Sequence, residues 1–382
     1  MRKFGLALAA LALPVLAGLG TASAAEKIRI PFATAFSGPS ISFGERLWRG
    51  AQLALEEVNK EGVRGGMKIE FYKIDTRSPE KAPLIAEYRR ACADESIPMF
   101  LANTSSTQLF AIYEYAKVCN MATFAPTSGA YWKFPDQGKW VFRFLPVPDA
   151  LLPVLYGTIK KELGVKTAAI SFTNDDDFTF FNYKLGVKYL NNVGIEILEE
   201  LASKRQEVNF ASQVASVRAS RADLVVVSHQ PDDGGKFVKQ LRDRGIKTQI
   251  TDTGYTVGGR DYWNLSAGFG KGSIGGSVYA STDKRPVVQN WLKLWRTRTG
   301  MTDRDPDPYE TATYDSVKFL AAVLNNAKSL SRKDIADAFS TVKGLEGVSG
   351  VAQYRKQDLP DIYREKPVLI QLGDNGQLLP WP

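Results

Sequence analysis

The chain has 382 residues, 44% of them apolar, a formal charge of +8 at pH 7, two cysteines and one histidine. That length with ordinary apolar content calls for about two domains, each with its own core. Lys and Arg alternate with Asp and Glu without a basic tract, which argues against nucleic acid as a partner.

Arg2 and Lys3 precede an apolar run from Phe4 to Gly20 that ends at Ala22-Ser23-Ala24, the pattern of a secretory signal peptide cleaved after about Ala24. No later stretch is apolar for a membrane-spanning length, and no cysteine stands at the cleavage point to carry a lipid. The expected product is a soluble, periplasmic protein whose charge falls from +8 to +6 with the loss of Arg2 and Lys3.

From Lys27 the pattern alternates between strand and helix. Ile28, Ile30 and Phe32 open a strand, and Leu47, Ala51, Ala54, Leu55 and Val58 recur at helical spacing up to Gly62. A strand through Met67, Ile69 and Phe71 follows, then a helix from about Pro79 that turns Leu84, Ile85, Tyr88 and Cys92 inward. Strand 98–101, helix 107–118 and strand 121–125 complete the first series. Leu145-Pro146-Val147-Pro148 reads as a crossover. A second series then follows: a helix from Asp149, strand 167–172, helix 178–191, strand 194–198, helix 210–220, strand 224–228, helix 234–244 and strand 248–251. A strand over 273–280, helices over 287–299 and 309–327, and a hairpin around Asp374-Asn375-Gly376 close the chain. The fold class is α/β, two doubly wound lobes of parallel sheet covered by helices on both faces.

Cys92 and Cys119 each fall near the end of one of two consecutive helices, so a bridge and a pair of buried thiols are both open. Catalytic and metal constellations are missing. His229 is the single possible base, no Gly-x-Ser-x-Gly precedes it, and one His with two Cys cannot build a zinc tetrad. The run Asp175-Asp176-Asp177 reads as a solvated loop whose last Asp caps the next helix. Gly270-Lys271-Gly272-Ser273-Ile274-Gly275 matches a dinucleotide fingerprint in letters, but a strand follows where a helix is needed, so it reads as a turn. No cofactor is expected.

Two hydroxyl-rich segments stand at the C-terminal ends of first-lobe strands, where open α/β sheets take ligands. They are Asn103-Thr104-Ser105-Ser106-Thr107-Gln108 and Ala125-Pro126-Thr127-Ser128-Gly129. Unpaired N–H groups at a helix start, with Ser and Thr hydroxyls beside them, suit a carboxylate. Phe43, Tyr131, Trp132, Phe178 and Tyr255, with Gln230 after strand 224–228, furnish an apolar cleft with few directed polar groups. His229 reads more readily as a hydrogen-bonded structural residue than as a donor to a ligand.

Phe36-Ser37-Gly38-Pro39, Phe43-Gly44 and Gly50-Ala51-Gln52-Leu53-Ala54, followed in order by Ser105-Ser106-Thr107-Gln108, Pro126-Thr127-Ser128 and Tyr314-Asp315-Ser316, resemble the branched-chain amino-acid-binding proteins of ABC importers over essentially the whole mature chain. The resemblance implies a type I periplasmic-binding fold with a three-strand hinge, lobes of residues 25–147 plus 277–354 and 148–276 plus 355–382, and hinge closure over a solute. It implies a monomeric receptor, not an enzyme, that serves an inner-membrane ABC permease, or alternatively a sensor for a signalling partner. Thr104 with Ser105 and Thr127 with Ser128 match the places that hold the ligand carboxylate, while Phe43 and Phe178 match aromatic cleft positions and Gln230 stands where the family places Tyr. The family's Glu for the ligand ammonium is replaced by Gly254, with Asp252 two residues away. A buried ammonium without a carboxylate partner is strongly unfavourable. The expected solute is therefore an organic carboxylate without an amino group, an aromatic acid, with a branched-chain or other amino acid as the alternative.

Overall fold

The computed structural model describes residues 26–130, 139–146, 148–356, 359–363 and 367–382. The leader expected over residues 1–24, and Tyr131 and Trp132, lie outside the described residues. No helix among them is long and apolar enough to cross a membrane.

Strand β1 (Lys27–Thr34), helix α1 (Ile41–Glu61), β2 (Lys68–Asp75), α2 (Ala82–Ala93), β3 (Met99–Ala102), α3 (Ser106–Val118), β4 (Ala122–Ala125) and β5 (Val141–Arg143) build a first, all-parallel sheet in the order β2-β1-β3-β4-β5. Its inner strands β3 and β4 are buried along their whole length, as parallel strands covered on both faces must be. The second series is α4 (Leu151–Leu163), β6 (Thr167–Thr173), α5 (Asp177–Asn192), β7 (Glu196–Ser203), α6 (Ala211–Ser220), β8 (Leu224–Ser228), α7 (Pro231–Asp243), β9 (Gln249–Asp252), α8 (Arg260–Leu265) and β10 (Ile274–Ser277). The chain continues with α9 (Pro286–Thr299), α10 (Pro308–Asn326), α11 (Arg332–Phe339), β11 (Leu345–Gly347), β12 (Gly350–Lys356), β13 (Leu359–Tyr363), β14 (Val368–Leu372) and β15 (Leu378–Pro380). The second sheet has the order β15-β14-β10-β9-β8-β6-β7, with only the β14–β15 hairpin running antiparallel to its neighbours. The turn at Asp374-Asn375-Gly376 joins that hairpin, as the sequence indicated.

After β10 the chain leaves the second sheet, because α10 packs along α1 and α11 against β4. A Cβ on Gly50 of α1 would fall 2.4 Å from the backbone oxygen of Glu310 in α10, so glycine is what lets these two helices approach. Strands β11, β12 and β13 form a separate antiparallel sheet beside β5, and β12 runs without a break through residue 354. These strands, β5, α8 and α11 were not anticipated. Each is short, and α8 and β5 follow Gly- and Pro-rich stretches that carry no clear periodicity.

Cys92 and Cys119 are joined, with their Cα atoms 5.6 Å apart. That resolves the open choice in favour of the bridge. Arg332, at the start of α11, donates to the carbonyls of Cys92 (3.1 Å) and Cys119 (3.3 Å), and to those of Ala91, Asp94 and Ile97. One guanidinium thus serves the carbonyl ends of both α2 and α3, where a cation is favoured. The bridge spans 27 residues. Reducing it should lower the unfolding free energy by about 3 kcal/mol, read as a fall in the urea midpoint; an unchanged midpoint would show that the loop is already ordered when unfolded.

Candidate functional site

The C-terminal edges of the two parallel sheets face one another across a cavity of about 340 Å³, near the lower end of the range for small-molecule sites. The first lobe contributes Thr34, Ser40, Phe43, Ser78, Thr104, Ser105, Ser106, Thr127 and Tyr309, and the second Asp176, Phe178, Arg205, Gln230, Asp232 and Asp261. Six expected residues are therefore brought together here: Phe43, Thr104, Ser105, Thr127, Phe178 and Gln230.

Three are not among the lining residues. Asn103 is buried behind the wall, donating to Thr313 Oγ1 (2.9 Å) and accepting from Thr127 Oγ1 (2.8 Å). Ser128 is likewise buried, sharing a hydrogen bond with Ser106 Oγ (2.9 Å). Tyr255 is buried in left-handed backbone, with φ of 65°, and packs into the core. Asn103 and Ser128 have a different task from the one expected. Their bonds fasten the two hydroxyl-rich loops to each other.

Ser105 is the N-cap of α3, its Oγ accepting from Gln108 N (3.3 Å). Its own O–H therefore remains a donor, and the first turn of α3 begins beneath it. The Thr104 hydroxyl is bonded to Gln108, and that of Thr127 to Asn103, so both offer lone pairs more readily than protons. Phe43 meets Tyr309 edge-on, ring centroids 5.3 Å apart, forming an apolar wall on the first-lobe side.

The second-lobe wall is acidic. Asp176, not Asp177, caps α5, accepting from Thr179 N (3.1 Å), and it is buried where the sequence pointed to a solvated loop. Gln230 Nε2 donates to the same carboxylate at 3.1 Å and Thr107 of the first lobe at 3.3 Å. Among the described residues it has no salt-bridge partner. Burial raises its pKa above the ordinary 3.8, opposed by the field of Arg205 and by the Thr179 and Gln230 hydrogen bonds. Arg205 is committed elsewhere, to Asp232 at 2.7 Å and to Asp233. Asp261 is held by Arg46 at 2.6 Å.

Sequence reasoning missed Asp176, Arg205, Asp232 and Asp261 as cleft residues. Arg205 follows β7, Asp232 lies in the first turn of α7 and Asp261 in that of α8, all on the strand-end side where ligands gather. Applying to the second lobe the strand-end rule used for the first would have found them.

Two residues named with the ligand in mind are structural. Asp252 is fully buried, accepts from Gly254 N (3.0 Å) and Val257 N (2.8 Å), and lies outside the cavity lining. It therefore does not stand in for the missing Glu. Gly254 has φ of 121°, and a Cβ there would lie 2.7 Å from Pro148 Cγ, so a side chain at that position is strained and requires Pro148 to shift. His229 is buried, with Nε2 2.8 Å from Ser171 Oγ and Nδ1 2.8 Å from Thr173 Oγ1.

Burial, helped by Arg205, lowers the His229 pKa from 6.5 to about 3. The unfolded imidazole takes up a proton near 6.5 while the folded one stays neutral, so its contribution to stability is intact above pH 6.5 and lost as pH falls towards 3. Asp252 works the other way, since burial raises it to about 7 against its backbone hydrogen bonds, and its contribution is lost as pH rises from 3.8 through 7. The single histidine gives a direct check: its imidazole Cε1–H proton resonance should not move between pH 8 and pH 5. A titration midpoint near 6.5 would show a solvated ring.

The model for the family described as periplasmic binding protein matches residues 27–360. An amino acid binding protein from Pseudomonas aeruginosa is 26% identical over 378 residues, covering 96% of each chain. Among solved structures, a leucine-binding protein from Thermotoga maritima superposes with a TM-score of 0.81 at 19% identity, over 91% of this chain and 96% of that one. A solute-binding protein of an ABC transporter from R. palustris, in complex with benzoate, superposes with a TM-score of 0.77 at 17% identity, over 93% and 95%. The family model spans most of the chain, and the chain belongs to the periplasmic binding protein family, in the type I form it shares with the leucine/isoleucine/valine-binding proteins.

Proposed function

We propose that this protein is the periplasmic solute receptor of an ABC importer and that its solute is an α-amino acid. The observation that carries the substrate class is Asp176, a buried cleft carboxylate whose hydrogen bonds, among the described residues, come from Thr179, Gln230 and Thr107, none of them charged. It supplies from the start of α5 the counter-charge that the sequence reading sought after β9. The solute carboxylate is assigned to the Ser105 hydroxyl and the free N–H groups opening α3, the ammonium to Asp176, and the side chain to the Phe43, Phe178 and Tyr309 wall.

Charge decides against the aromatic acid as first choice. The second-lobe wall holds Asp176, Asp232 and Asp261, and both neighbouring guanidiniums, Arg205 and Arg46, are each already shared between two aspartates. An anion with no cationic group would enter a field of its own sign, whereas a zwitterion brings the missing positive charge. An aromatic carboxylate remains the second reading, favoured by the aromatic wall and by the benzoate complex of the R. palustris protein. The lobes are assigned to residues 26–146 plus 278–363 and 148–277 plus 367–382, closing by hinge motion over the solute and presenting the closed pair to the permease.

Calorimetry with leucine, isoleucine, valine and benzoate tests this reading. An aliphatic amino acid should bind, Asp176→Asn should weaken it by about 10- to 100-fold, and binding should weaken as pH falls, because protons compete with the ammonium for a carboxylate already raised by burial. Benzoate binding without any amino-acid binding would overturn the substrate class and leave the receptor role standing.

A further inference from the structure

One contact at the cleft rim joins the lobes directly: its Ser42 and Asp261 line the cavity, yet none of the groups assigned to hold the solute belongs to it. Arg46 of α1 reaches across to Asp261 of α8 through two parallel bonds, Nη2 to Oδ2 at 2.6 Å and Nη1 to Oδ1 at 3.1 Å. Ser42, one turn earlier on α1, donates its hydroxyl to the same Asp261 Oδ1 at 2.8 Å. Arg46 is buried, and its Nε is held at 2.9 Å by Asp307, the N-cap of α10.

From this geometry we infer that Arg46, Ser42 and Asp261 form an ionic latch that draws the lobes together over an empty cleft, so that the receptor samples its closed form before solute arrives. Every bond in the latch is between protein atoms, so closure at this rim needs nothing from a ligand. The opposite seam is also made of protein atoms alone but holds no ion pair among the described residues: Asp177 N donates to Thr107 Oγ1 at 2.8 Å, Thr107 donates in turn to the Asp176 carboxylate at 3.3 Å, and Phe110 of α3 packs near Phe181 of α5. Among the described residues, Arg46–Asp261 is the ion pair that joins the lobes.

The latch is built to release. Asp307 belongs to the same lobe as Arg46, so when the lobes part the guanidinium keeps one carboxylate and Asp261, near the surface, returns to water. Opening then leaves no buried charge unpaired, which is what makes such pairs costly to break. Apparent affinity for any solute scales with the fraction of molecules already competent to bind. Asp261 thereby tunes affinity without having to touch the solute, and rising ionic strength weakens it.

Small-angle X-ray scattering on the full chain, unfolded and refolded to strip carried-over solute, tests the latch without knowledge of the solute. At low salt, Asp261→Asn should shift the ligand-free protein to a larger radius of gyration than wild type, with Ser42→Ala between them. Wild type in 1 M NaCl should expand in the same direction, because salt stabilises the solvated Asp261 of the open form more than the buried pair of the closed one, while Asp261→Asn should no longer respond to salt. Superimposable profiles for wild type and Asp261→Asn, or an equal salt response in both, would overturn the proposal. If Asp261→Asn lacks native circular dichroism, the wild-type salt series and Ser42→Ala decide alone, and absence of expansion in both overturns it. Failure of leucine to bind bears on the solute class and leaves this result untouched.

Discussion

Parallel strands oblige each following helix to start at the same sheet edge, and the unpaired N–H groups at those starts must be met by something. In this protein Ser105 meets them for α3 and Asp176 for α5, and Asp307 does the same for α10, a helix that follows α9. All three caps stand at or beside the cleft. Ser105 and Asp176 line it from opposite lobes, and Asp307 anchors the arginine that crosses its rim. Capping, cleft chemistry and lobe contact are therefore one arrangement, and a change to any cap alters the other two.

The second constraint is the shortage of cations. Arg46 is shared by Asp261 and Asp307, and Arg205 by Asp232 and Asp233. In both guanidiniums the cost of burial, which lowers the pKa, is outweighed by the flanking carboxylates. Such pairs contribute little net stability but define geometry, because removing one partner strands the other in a dry site. The negative balance of the wall is a property of the fold itself, present before any solute enters.

The α/β alternation was legible because its signal is repeated: apolar residues at strand and helix spacing, element after element, leave few folds open. Both hydroxyl-rich loops were legible for the same reason that they work, since strand ends carrying Ser and Thr announce helix starts. Asn103 and Ser128 were expected at the ligand and stand behind the wall, because a polar side chain facing a ligand and one tying two loops together look identical in sequence. Asp176 was recognised as part of a capping run and its burial was not, since burial depends on the opposite lobe, some 70 residues earlier in the chain at Thr107. Asp252 looked like the better counter-ion because it is close in sequence to the expected position, yet the backbone of Gly254 and Val257 takes both its oxygens.

Gly254 carries a consequence for how this scaffold can change. Its left-handed backbone and the 2.7 Å contact that a Cβ would make with Pro148 mean that any side chain here requires Pro148 to shift. Placing a carboxylate here would require the chain at Pro148 to move before the side chain arrived. Substitutions here are order-dependent: a change at Pro148 has to precede one at Gly254.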